Sequence, residues 1–283
     1  MASASDVMLR TSDLARLGLV DDAAIDLADA ALLLAAADHS ANDTRATLDT
    51  ARARLTGMAL RLQRESAGLT TPRSRARALT ELIAQAEEMT GDVQDYDNPR
   101  NADLLELLDR KLGLPVTLSI LYVALARRVG WAADPLGLPG HVLVRIGHEP
   151  VAQLVDPFDG GRLLGTSGLN AVLTRVLGGS ATLDADHLTA LSNRATLVRL
   201  LSNQATRARR AGDVARALTL HERMTLIAPS FTGLWWERAR LEQLTGALGA
   251  ARNSLGAMLE TTRDTAVRGR IRAALEALAR SPS

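Results

Sequence analysis

The stretch NPRNADLLELLDRKLGLPVTLSILYVALARRVGWAADPLGLPGHVLVRI (98–146), followed shortly by LVDPFDGG (154–161), decides the fold of this chain. Within it, PVTLSILYVALARRV (115–129) is apolar on nearly every face until its two arginines, the pattern of a helix buried on all sides. Pro115 suits a first helical position, where its fixed φ is already helical and its missing N–H has no partner to lose. HVLVRI (141–146) and VAQLVDPF (151–158) are short, β-branched and bounded by Pro-Gly and His-Glu-Pro turns. DGG (159–161) then turns the chain into RLLG (162–165). These segments predict a small antiparallel sheet against the 115–129 helix.

Outward from that core the chain reads as helix. Of its 283 residues 47% are hydrophobic but only 2% aromatic, so alanine and leucine, both strong helix formers, carry the apolar content. Towards the amino terminus, 21–38 has carboxylates in its first turn, and Leu48, Leu55 and Leu62 mark one stripe of a helix over 44–65. AGLTTPR (67–73) is a break, with Pro72 placed to open a helix running to about Met89. GDVQDYDNPRN (91–101) is a loop, and Asn101 is the expected cap of ADLLELLDRKL.

Beyond Ala195 an internal repeat appears. Ala205, Gly212 and Ala217 recur as Ala239, Gly246 and Ala251, each 34 residues on, the period of the tetratricopeptide unit. Trp235 and Pro229 stand where that unit favours tryptophan and proline; Leu201 and Arg263 replace them in the other copy. Residues 265–280 are the expected capping helix. The fold class is α+β, mostly α. Three regions follow: a helical 1–94, a core over 95–190 holding the sheet, and helical repeats over 191–283.

Charge and composition exclude several functions. The net charge of +1 supplies no global field towards nucleic acid or anionic lipid. Zero cysteines exclude disulfides, thiolate metal sites and thiol catalysis. His39, His141, His148, His187 and His221 are scattered, with no paired ligand spacing, and LGGS (177–180) lacks the context of a phosphate loop, so neither metal nor cofactor is expected. The first twenty residues hold no apolar leader core and no run is long enough for a bilayer, which makes a cytoplasmic protein the expectation.

The ordered motifs LGLPVTLS (112–119), PGH (139–141) and DPFDGG (156–161), with RLLSN (199–203) and GDVARAL (212–218), resemble the transglutaminase-like superfamily in its SirB-type branch, which joins such a core to carboxy-terminal tetratricopeptide repeats. The resemblance implies a G-x-C motif opening the buried helix, a histidine starting the next strand and an aspartate on its neighbour. Its counterparts here are Gly113-Leu114-Pro115, His141 and Asp156. In that arrangement a helix N-terminus lowers the thiol pKa, the imidazole takes its proton, and the carboxylate fixes the imidazole. Pro115 at the nucleophile position removes the first member. Thr117 and Ser119 are the nearby hydroxyls and are expected to point away from it.

Plainer readings stand beside these. Asp156 suits a turn ahead of Pro157, and a lone histidine entering a strand is commonly structural. Asn98, Arg100 and Asn101 read as loop and cap residues, or as one wall of the cleft, with Arg100 holding a carboxylate or phosphate by its fork. Trp236 is a candidate binding hot spot, with Trp235 in the core. RARR (207–210) reads as a solvated helix face. The resulting expectation is a non-catalytic module binding a protein or peptide, with no nucleic acid or membrane partner. Its alternative is a cysteine-independent hydrolase or amide-transferring enzyme using His141 and Asp156.

Overall fold

The structure is a computed structural model describing residues 13–39, 44–177 and 188–280; residues 1–12, most of LGGS and His187 lie outside the described residues. The described chain forms two compact units: Asp21–Leu197, and the remainder from Val198 together with a short helix, α1, at 13–19.

In the first unit α2 (Leu27–Ala36) is shorter than the carboxylate-rich stretch suggests. Asp22–Ala24 makes a 3₁₀ turn, and the cap is Asp26, whose side chain accepts from the Asp29 amide at 2.9 Å. α3 (Thr44–Glu65) buries the Leu48, Leu55 and Leu62 stripe. α4 (Pro72–Thr80) opens on proline, is capped by Thr71, and runs on through a π-helical turn at Glu81–Ala86. β1 (Thr90–Gly91) pairs in parallel with β2 (Leu112–Gly113).

Between those strands the cap differs from expectation. Asn98 caps a 3₁₀ turn at Pro99–Ala102, and that turn carries Asn101 inward. Asp103 therefore caps α5 (Leu104–Arg110), accepting from the amides of Leu105 and Glu106 at 2.7 and 3.2 Å. α6 (Pro115–Arg128) is buried from Pro115 through Ala126, as its all-round apolar pattern requires.

The sheet is antiparallel in the order β3 (Ala133–Leu138), β4 (His141–Ile146), β5 (Gln153–Asp156), β6 (Arg162–Leu164). β3 carries Pro135 and Gly137, residues that weaken a strand, and escapes sequence reading for that reason. It lies at the sheet's edge, where a residue without N–H is tolerated. α7 (Thr166–Leu177) closes on the sheet through Leu169, Val172 and Leu173, packed with Leu136, Leu138 and Leu143.

α8 (Asn193–Arg210) leads into the second unit of α9 (Val214–Ile227), α10 (Thr232–Leu244), α11 (Leu248–Thr261) and α12 (Thr265–Arg280). The 34-residue repeat holds at the level of hydrogen bonds. Gly212 and Gly246 both adopt left-handed backbone, at φ 76° and 78°, which glycine enters without strain. The amides after them, Asp213 and Ala247, both bond the carbonyl five residues back at 2.8 Å. Ala205, Ala217, Ala239 and Ala251 are all buried, letting the paired helices approach closely. Among the described residues, no helix is long and apolar enough to cross a membrane.

Candidate functional site

Side-chain alternation explains why His141 and Asp156 meet. Val144 pairs with Val155, so one step further Leu143 lies opposite Asp156, and His141 is its diagonal neighbour on the same face. His141 Nε2 lies 2.9 Å from Asp156 Oδ1, and both side chains are buried. The same Oδ1 accepts from the amides of Phe158 and Asp159 at 3.2 and 3.3 Å, so Asp156 also forms the turn into DGG. The two readings of Asp156 describe one atom. Asp156 Oδ2 has no hydrogen-bond partner among the described residues; the half-exposed Arg175 of α7 reaches to 3.8 Å of it.

Aromatic rings close over the imidazole. Phe158 sits edge-on to His141, with centroids 6.1 Å apart, and Tyr96 packs edge-on to Phe158 at 5.7 Å. Gly91 leaves the space for Phe158: a Cβ there would collide with its ring, and the Gly91 amide donates to the Phe158 carbonyl at 3.1 Å.

The head of α6 is held from the other side. The Asn101 carbonyl accepts from the Leu114 amide at 2.9 Å and from Thr117 Oγ1 at 2.8 Å, so the Thr117 hydroxyl turns to Asn101 rather than to the sheet. Ser119 does not. It lies one turn after Pro115, on the same helical face, and donates to the Val142 carbonyl beside His141 at 3.3 Å. The expectation overlooked the i, i+4 relation.

Tyr122 follows at i+7 on that face. Its fully buried hydroxyl has no hydrogen-bond partner among the described residues and lies against Gly161 and Thr80, while Thr80 donates to the Gly161 carbonyl at 2.8 Å. Burial pushes the Tyr122 phenol well above its usual range; the Thr80 hydroxyl opposes that shift and the Asp156 charge adds to it.

Asn101 is fully engaged. Its amide nitrogen donates to Asp92 Oδ2 at 3.1 Å and the Asp95 carbonyl at 2.7 Å, and its oxygen accepts from Arg110 at 3.0 Å. The Asp95 amide, then the Asn101 side chain and Arg110, hold the Asp92 carboxyl below its usual range, with burial working against them. Arg100 is exposed and paired with Glu106 at 2.6 Å. In the second unit Trp235 is partly buried, its indole N–H on the Pro229 carbonyl at 2.8 Å, and Trp236 is 37% exposed. Among the described residues, no group of three or more potential ligands could hold a metal.

Residues 49–202 match the model of the transglutaminase-like superfamily, more than half of the chain. The chain belongs to that superfamily. A tetratricopeptide-repeat model matches residues 205–276, the segment where the 34-residue period runs through the turns. A UPF0162 protein of Xylella fastidiosa (strain 9a5c) is 30% identical over 186 residues, 65% of this chain and 66% of that protein. Human F-box only protein 21 is 29% identical over 82 residues, 29% of this chain and 13% of its own length. A crystal structure of menin with its binding site for the Mixed Lineage Leukemia protein aligns with a TM-score of 0.43 and 12% identity, covering 89% of this chain and 69% of that one. The transglutaminase-like unit thus holds a buried, hydrogen-bonded His141–Asp156 pair. Sequence reading missed the residues around that pair. Tyr122, the lone aromatic of α6, and Phe158, inside the DPF motif, were the available signals.

Proposed function

We propose that this protein is a non-catalytic transglutaminase-like module that acts by binding a protein or peptide, in a cytoplasmic, regulatory setting. The observation that carries the reading is the state of the dyad. His141 and Asp156 are paired and buried, yet the chain holds no cysteine and α6 begins with Pro115. Proline offers neither a nucleophilic atom nor a proton for the imidazole to take. In this reading the dyad serves packing: it ties the start of β4 to the turn after β5. The helical repeats support the binding role, because stacked helical hairpins present extended surfaces.

One observation favours the alternative, a hydrolase or amide-transferring enzyme that uses a hydroxyl or water. Ser119 shares the Pro115 face and reaches the residue after His141. Its proton, however, is directed at a backbone carbonyl, and a serine hydroxyl is not ionised without a base placed on it.

Assaying purified full-length protein against amide, ester and thioester substrates, with and without an amine acceptor, tests the proposal. No turnover above that of folded His141→Gln protein is expected, and a tagged copy should retain a protein partner from cells. Turnover that His141→Gln abolishes without unfolding overturns it.

A further inference from the structure

We propose that the groove between α10 and α12 docks an acidic protein segment that places one apolar side chain against Trp236. This rests on the binding reading above and names its surface. Trp236, Arg240 and Gln243 recur at helical spacing along α10 and face Ala274 and Ala277 of α12 across Leu255 of α11, lining a cavity of about 390 Å³. The alanines keep the far wall low, and Trp236 is exposed.

Charge specifies the occupant. From Val198 to the end of the chain the sequence holds fourteen arginines against seven carboxylates, whereas residues 1–197 hold nineteen basic and twenty-five acidic side chains. Four of those seven carboxylates are committed. Asp213 and Asp264 accept from the Arg216 and Val267 amides at the starts of α9 and α12. Glu242 is buried between Arg238 and Ser254, and Glu237 bridges Arg209 and Arg240. The exposed Arg270, Arg272 and Arg280 make no hydrogen bond or ion pair among the described residues. Arg270 stands one turn before Ala274 and Arg280 three residues after Ala277, so guanidinium groups flank the α12 wall. Glu276 is the only carboxylate on that helix.

A cationic rim around an apolar floor fits carboxylates flanking an aliphatic or aromatic anchor. A nucleic-acid strand fits less well, because successive bases need successive aromatic platforms. Here Trp235 is turned inward and Trp236 stands alone.

Fluorescence anisotropy of the full chain with a labelled dodecapeptide of alternating glutamate and leucine tests this. Two control peptides replace glutamate by glutamine and leucine by alanine. The acidic peptide is expected to bind, to lose about tenfold or more in affinity with Trp236→Ala or with Arg270→Ser/Arg280→Ser, and to weaken as salt rises. Either control should bind correspondingly worse. Equal binding of the glutamine peptide overturns the proposal, as does unchanged affinity in a Trp236→Ala protein with native circular dichroism. Tighter binding of a labelled single-stranded DNA twelve-mer assigns the face to nucleic acid and also overturns it. If no peptide binds while the tagged chain still captures a partner, the groove is wrong and the binding reading survives; histidine-dependent turnover would instead remove that reading.

Discussion

The dyad and the α10–α12 groove use polar groups in opposite ways. At the dyad most polar groups are committed to one another, with Asp156 Oδ2 and the Tyr122 hydroxyl the exceptions among the described residues there. His141, Asp156 and two backbone amides meet at one carboxylate oxygen, and Asn101 makes three side-chain hydrogen bonds while its carbonyl holds the head of α6. Beside the groove, Arg270 and Arg280 are exposed with no hydrogen bond or ion pair among the described residues, next to a partly exposed Trp236, while Arg240 in the lining is held by Glu237. Buried polar groups that satisfy each other specify a fold, whereas exposed groups left unsatisfied are available to a partner. In the proposed reading, the difference separates a structural pair in the core from a binding surface on the repeats.

The sharpest way to break that contrast is Asp156→Ala. It strips the imidazole and the Phe158 and Asp159 amides of a shared acceptor inside the core, and should destabilise the full chain by about 3–5 kcal/mol in urea unfolding. A loss below about 1 kcal/mol would mean the pair is not a structural knot.

A smaller effect separates the second unit's interior from its surface. Burial lowers the pKa of His221, whose Nδ1 lies 2.9 Å from the Ala217 carbonyl. A folded-state pKa below the unfolded value of about 6.5 means the unfolded chain takes the proton first. This contribution to stability is therefore present above that value and is lost as pH falls through it towards the folded pKa. His221→Gln should flatten the decline in urea midpoint between neutral and mildly acidic pH, and an unchanged slope would contradict the assignment.

Tyr122→Phe sharpens the contrast further. A buried hydroxyl left without a partner costs about 1–3 kcal/mol, so its removal should leave stability unchanged or raise it by up to that amount. A clear loss of stability would instead show the hydroxyl to be bonded to Thr80, against which it lies. The smallest effect is expected from Arg272→Ser, which should leave the thermal midpoint within experimental scatter, since an exposed arginine with no partner among the described residues contributes little to folding.

Much of this was legible in the sequence, for identifiable reasons. The bounds of β4 and α12 were readable because β-branching and helical periodicity were unopposed. The 34-residue spacing is kept through the repeat turns because only glycine adopts the backbone at 212 and 246 readily. β3 was hidden by Pro135 and Gly137, and the α5 cap was misplaced because a 3₁₀ turn intervened and sent Asn101 inward. At the site, motif order pointed to His141 and Asp156, while Tyr122 and Arg175 come from helices whose docking on the sheet no local pattern encodes. The basic character of the repeats was masked by a net charge near zero, in which an acidic remainder cancels it.

The most direct test of the central claim, that the core keeps an acid–base pair with nothing to activate, is to restore the sulfur. In this cysteine-free chain Pro115→Cys carries a single thiol, and its iodoacetamide alkylation rate can be followed against pH. The account predicts a thiolate forming well below the free-cysteine pKa of about 8.5, with a profile that shifts back upward in Pro115→Cys/His141→Gln. A thiol that titrates as free cysteine, or whose profile ignores the imidazole, would contradict it.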